Sequence, residues 1–101
     1  MSGALTAAAV QRHVADAYGI SMIEMHNRSR VYRFGRPRAV AMYLARELTD
    51  LTFPELGLRF ANRDHSTIIK NINRVKHRMA CVPEFAVQVA SIRQSLENSI
   101  I

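Results

Sequence analysis

Asn62-Arg63-Asp64-His65-Ser66-Thr67 stands between two stretches of helical character and decides how they are joined. Upstream, Thr52-Phe53-Pro54-Glu55 has the spacing of a capping box with proline in the first turn, so a short helix runs from there to about Phe60. Downstream, Ile68, Ile72, Val75 and Met79 recur at i, i+4, i+7 and i+11. That is the apolar stripe of a long amphipathic helix from about Asp64 to Met79. Only the tight turn Ala61-Asn62-Arg63 is left between them. A short helix, a brief turn and a longer helix with a polar face describe a helix-turn-helix.

The remaining chain also reads as helix. Val10, Val14, Ala17 and Tyr18 mark an amphipathic helix over about 5–18, ended by Gly19. Ser21-Met22-Ile23-Glu24 is a second capping box and opens a short helix. Residues 27–36, rich in Arg, Ser and Gly, show no period and read as an exposed basic loop. Pro37 suits the first turn of a helix over about 37–49, which buries Val40, Tyr43, Leu44 and Leu48. Pro83 opens a last helix with Phe85, Val89, Ile92 and Leu96 on its apolar face. Nothing alternates with period two. The expectation is an all-α fold, a single compact domain over 1–101 of five to six helices with the helix-turn-helix at about 53–79.

The 101 residues suffice for one modest core, and no apolar run approaches the roughly 20 residues that span a membrane. The N-terminus has no charged segment leading into an apolar one, so no signal peptide is expected. The single cysteine, Cys81, permits no internal disulfide, which suits a reducing compartment, and the four scattered His give no metal-ligand spacing. The expected location is cytoplasmic, in association with the nucleoid. Positive charge is unevenly placed. Residues 26–46 hold Arg28, Arg30, Arg33, Arg36, Arg38 and Arg46 with no acid, and residues 63–78 hold Arg63, Lys70, Arg74, Lys76 and Arg78 against Asp64 alone. Eleven of the fourteen positive charges thus lie in two segments of a chain with net charge +6. Such asymmetry points to a polyanionic partner.

A helix entering the major groove of DNA presents its N-terminal residues to base edges, and Asp64, His65 and Ser66 are of types that discriminate bases there. Each has a plainer role as well. Asp64 can cap the helix, His65 can be a surface histidine, and Lys70 and Arg74 can be a solvated face.

The run Gly35-Arg36-Pro37-Arg38, Ala41-Met42, Leu44-Ala45-Arg46-Glu47-Leu48-Thr49, Pro54-Glu55-Leu56-Gly57, Phe60 and Arg63-Asp64-His65-Ser66-Thr67 resembles the C-terminal helix-turn-helix domain of the bacterial replication initiator DnaA. The Arg-Asp-His-[Ser/Thr]-Thr run is that family's signature, and the likeness covers the chain from near Val10 to about Met79. It implies an all-helical domain that binds double-stranded DNA at TTATNCACA-type boxes. It implies base reading by Arg63, Asp64, His65 and Ser66, and insertion of Arg30 into the adjacent minor groove. Arg38, Arg46 and Thr67 would touch the DNA backbone, and the amides at Thr52 and Phe53 would hold a phosphate; Lys70 and Arg74, on the polar face of the long helix, read from that face alone as DNA backbone contacts or as a solvated surface. The chain departs from the family at Ala61-Asn62, where Gly-Gly is usual, at Ser66, where Thr is usual, and at Tyr32, where some members are basic.

No enzyme is expected. Asp64, His65 and Ser66 are consecutive helical residues about 100° apart and cannot relay a proton among themselves. No Gly-x-x-x-x-Gly-Lys-[Ser/Thr] occurs in the 101 residues, so the initiator's ATPase module is not in this chain. No cofactor, metal or small-molecule substrate is expected, and no membrane. Protein partners would be the initiator itself or its regulators. Three contexts stay open: a domain of a full initiator, a free-standing relative that regulates replication, and a transcription regulator reusing the fold. The Met1 start and the closing helix lean toward the free-standing form. A protein-interaction module that binds polyanions without sequence preference is the reading from another class.

Overall fold

A computed structural model describes residues 5–26 and 32–99, with side chains except at 32–34. Six helices follow one another: α1 (Ala7–Tyr18), α2 (Met22–Met25), α3 (Tyr32–Leu48), α4 (Phe53–Arg59), α5 (His65–Cys81) and α6 (Pro83–Asn98). No strand occurs among the described residues.

Local chemistry sets the ends. Thr6 caps α1, its hydroxyl accepting from the Ala9 amide. Gly19 ends it at φ 68°, the left-handed conformation that a residue without Cβ adopts freely. Both capping boxes form: Ser21 and Glu24 exchange bonds at the start of α2, and Thr52 and Glu55 at the start of α4. Pro83 sits in the first turn of α6, where its missing N–H costs nothing.

The expected basic loop over 27–36 needs correction. Residues 27–31, which include Arg28 and Arg30, lie outside the described residues. Residues 32–36 are helical: α3 begins at Tyr32, five positions before Pro37, which therefore lies inside a helix rather than in its first turn. An interior proline removes a hydrogen bond and crowds the preceding turn, at about 3 kcal/mol. Here its ring is fully buried, and that packing offsets the cost.

α3 lies at the centre, touching α1, α2, α4 and α5, while α5 also packs on α4 and α6. Its position explains why Ala39, Val40, Ala41, Met42, Leu44 and Ala45 are all buried, far more of the helix than one stripe. Phe60, Leu56, Ile68, Ile72 and Val75 carry the core between α4 and α5, and Phe85, Val89, Ile92 and Leu96 seat α6. On α1 the buried face is Ala7, Val10, Gln11, Val14 and Ala15. Ala17, expected in that stripe, is exposed because it lies a third of a turn off the axis of the face.

Candidate nucleic-acid interface

The connection between α4 and α5 is built by three residues with unusual demands. Gly57 lies in the last full turn of α4, and its carbonyl accepts from Arg63 N–H at 2.8 Å. Ala61 and Asn62 then take φ values of 61° and 59°, two successive residues in the left-handed region that favours glycine. The cost for an L-residue is roughly 1–2 kcal/mol, less for Asn than for Ala. The chain thereby reverses within a few residues and enters α5 at Asp64.

Asp64 is the cap of α5. Its carboxylate accepts from the Ser66 amide at 3.3 Å and from the Ser66 hydroxyl, and its other oxygen stands 3.7 Å from His65 Nδ1. These bonds, from the Ser66 hydroxyl first, hold the Asp64 carboxyl below the usual carboxylate range. Asp64, His65 and Ser66 are all exposed, with side-chain exposures of 66% for Asp64 and 57% for His65. The first turn of α5 therefore offers a carboxylate, an imidazole and a hydroxyl outward as one cluster.

Beside it runs a groove of about 1320 Å³ between α3 and α5, lined by Arg36 and Arg38 from α3, by Arg63, and by Thr67, Lys70 and Arg74 from α5. Asp64 is the one acid among the described residues lining it. Lys70 and Arg74 are exposed, one turn apart on α5. Arg38 is 8% exposed, and burial first, then the nearby Arg63 charge, lowers its pKa.

Arg46 is exposed but engaged. It donates from Nη1 to the Leu51 carbonyl at 3.0 Å and lies 4.1 Å above the Phe53 ring, tying the end of α3 to the start of α4. Thr52, expected to offer its amide to a phosphate, donates it to the Glu55 carboxylate at 2.8 Å. An acid thus occupies that amide and repels an anion, because the capping box uses the same donor. The amide of Phe53, at the first position of α4, has no intrahelical acceptor. Arg30 lies outside the described residues.

Two contributors escape a motif search. Gln11 is buried at 3% exposure and donates from Nε2 to the Arg59 carbonyl at 2.9 Å, fixing the end of α4 against α1. Its signal was positional: it lies on the face shared by Ala7, Val10 and Val14. Gly57 was visible only as part of the run Pro54-Glu55-Leu56-Gly57, with no indication of its backbone approach.

Fold and site together define a helix-turn-helix domain, the class in which the second helix presents its N-terminal turn to DNA. The family model for the bacterial DnaA protein helix-turn-helix matches residues 7–75. Over 89 residues, 88% of the chain, the sequence is 42% identical to the chromosomal replication initiator protein DnaA of Sphingopyxis alaskensis, covering 20% of that protein. It is 40% identical over 89 residues to the DnaA of Gluconobacter oxydans, again 88% of the chain and 19% of the relative. With the DnaA of Ruegeria sp. (strain TM1040) it shares 37% over 93 residues, 92% of the chain and 20% of the relative. The chain belongs to the bacterial DnaA helix-turn-helix family, and it spans about a fifth of the length of these relatives.

Proposed function

We propose that this domain binds double-stranded DNA in a sequence-specific way at TTATNCACA-type boxes, and so contributes to the initiation or regulation of chromosomal replication at the nucleoid. The observation that carries the reading is the exposed Asp64-His65-Ser66 turn at the start of α5, flanked by the cationic groove. In this reading α5 enters the major groove. The Asp64 carboxylate accepts from a cytosine amino group, His65 packs on a thymine methyl, and Ser66 adds a hydroxyl. Lys70, Arg74 and Arg38 neutralise phosphates, the Thr67 hydroxyl donates a hydrogen bond to one, and Arg30 reaches the neighbouring minor groove. Arg46 serves the backbone too, held in place by Phe53 and Leu51. The amide that remains for a phosphate at the start of α4 is that of Phe53 rather than Thr52.

Fluorescence anisotropy tests this with one duplex holding a TTATCCACA-type box and one scrambled, at low and moderate salt. A preference for the box that survives the added salt supports the reading. Equal binding that fades with salt would overturn it, because phosphate contacts alone carry no sequence information.

A further inference from the structure

His77 and Cys81 stand four residues apart in the last turns of α5, one above the other on the same face of the helix. Both are exposed, and the His77 Nε2 lies 3.6 Å from the Cys81 sulfur. That separation matches a pair of metal ligands. Zinc holds a thiolate sulfur at about 2.3 Å and an imidazole nitrogen at about 2.0–2.1 Å, so at a tetrahedral angle of about 109° the two stand about 3.5 Å apart. With the ring proton on Nδ1, Nε2 carries the lone pair that a metal takes. The helix fixes the spacing of the two residues before any ion arrives. His77 follows His65 at a distance of about 18 Å along α5, and neither ligand has a part in the DNA contacts proposed above. The site therefore stands whether or not α5 enters a groove of DNA.

No third His, Cys, Asp or Glu among the described residues completes the set. Two tetrahedral positions are left over, and closed protein zinc sites take four ligands. Charge decides what fills them. Lys76 and Arg78 flank His77 in a chain of net charge +6, and they oppose a bare dication. One thiolate leaves the ion with a positive charge, whereas two cancel it. A second copy of this chain brings a second thiolate and a second imidazole, equally exposed, and such a site is self-complementary as a two-fold pair requires.

We infer that His77 and Cys81 form one half of a zinc site, closed by the same two residues of a second copy. One zinc ion and two thiols give a neutral bis-thiolate with two bound imidazoles, and two protons leave to solvent.

Cobalt(II) is the probe for the ligands, because tetrahedral thiolate ligation gives it a charge-transfer band and strong visible bands. Wild type, kept reduced by a phosphine, should develop both, reach an end point at one cobalt per two chains, and lose them when zinc is added. Cys81→Ser should lose the charge-transfer band. His77→Gln should weaken cobalt binding by more than the roughly tenfold that losing a ligand's supporting partner costs. His13→Gln, on α1, should behave as wild type. Both ligands are exposed, so the variants should keep the wild-type helical signal. Analytical ultracentrifugation reads the second copy: half an equivalent of zinc should double the mass of wild type and leave Cys81→Ser unchanged, and a chelator should reverse the doubling.

Absence of the charge-transfer band in wild type would overturn the site. An end point of one cobalt per chain at monomer mass would overturn the shared site. Wild-type binding by His77→Gln would remove the imidazole from the ligand set, and equal weakening in His13→Gln would mean scattered histidine binding. A doubled mass that a reductant reverses and a chelator does not would replace the metal with a disulfide between the two copies of Cys81.

Discussion

Gly57 and Arg63 meet so closely that the two helices are joined backbone to backbone. Arg63 donates its N–H to the Gly57 carbonyl at 2.8 Å, and a Cβ on Gly57 would stand 2.1 Å from the Arg63 carbonyl oxygen. That distance is far inside van der Waals contact with a group that cannot rotate away. Gly57→Ala must therefore push α5 off α4 and expose Leu56, Phe60 and Ile68, all buried at 1% exposure or less. The expected loss is about 3–4 kcal/mol, at the severe end for a single methyl. Urea unfolding measures it, and a change below about 1 kcal/mol would contradict the geometry.

The same turn predicts a substitution in the opposite direction. Ala61 at φ 61° bears a steric cost of roughly 1–2 kcal/mol, and glycine removes it while losing about 0.5–1 kcal/mol to unfolded-state freedom. Ala61→Gly should stabilise the domain by about 0.5–1 kcal/mol, raising Tm by several degrees. Asn62→Gly should do less, because asparagine already tolerates φ 59°. Thermal scans of both variants give the order. A larger gain at Asn62 than at Ala61 would mean that the strain lies elsewhere in the turn.

Gln11 gives a third test, of position rather than strain. Its amide reaches the Arg59 carbonyl across 48 residues of sequence and holds the end of α4 just before the turn. Gln11→Leu keeps the volume and loses the donor, leaving a part-buried carbonyl unsatisfied, for about 1–3 kcal/mol. Because α4 is then less firmly held, box affinity should fall with stability, and both should recover on returning the amide. An equilibrium unfolding curve unchanged from wild type would remove Gln11 from this role.

These cases show what the residues announced and what they concealed. Helix count, the stripes Ile68-Ile72-Val75 and Phe85-Val89-Ile92-Leu96, and both capping boxes followed from spacing, because local periodicity and local hydrogen bonds specify them. The exposed turn at Asp64-His65-Ser66 followed too, since a cap is written in consecutive residues. The early start of α3 did not. Pro37 signals a helix start locally, and its tolerance inside α3 depends on burial by the rest of the fold. The Gln11–Arg59 bond and the Gly57–Arg63 approach are relations between segments, which no window of sequence contains. The setting of Arg63 beside Arg38 is of the same kind.

Acid should loosen the helix-turn-helix from its caps. Glu55 has its carboxyl held below its ordinary value by bonds from Thr52, backbone first, and Asp64 by bonds from Ser66, hydroxyl first. A depressed carboxyl pKa favours the folded state above the unfolded value, about 4, and that advantage disappears as pH falls through the lower folded value. Urea midpoints should thus be flat near neutrality and fall below about pH 4. The double substitution Glu55→Gln with Asp64→Asn keeps neutral acceptors at both caps and should flatten this part of the decline. An identical acid profile in the double variant would place the acid sensitivity outside the two caps.

Asp64 carries two duties that one substitution separates. As a cap it needs only an acceptor aimed at the Ser66 amide, and asparagine caps about as well. As a base reader it needs a carboxylate that accepts from cytosine, and the asparagine amide presents a donor beside its acceptor. Asp64→Asn should therefore leave the unfolding midpoint at neutral pH within about 0.5 kcal/mol of wild type. Its box affinity should drop by about 1–3 kcal/mol, with binding to scrambled DNA unchanged or slightly tighter from the lost negative charge. Anisotropy and urea unfolding on the same preparation distinguish the duties. If stability falls and discrimination between the duplexes survives, Asp64 is a cap alone, and base reading passes to His65 and Ser66 on the same exposed turn.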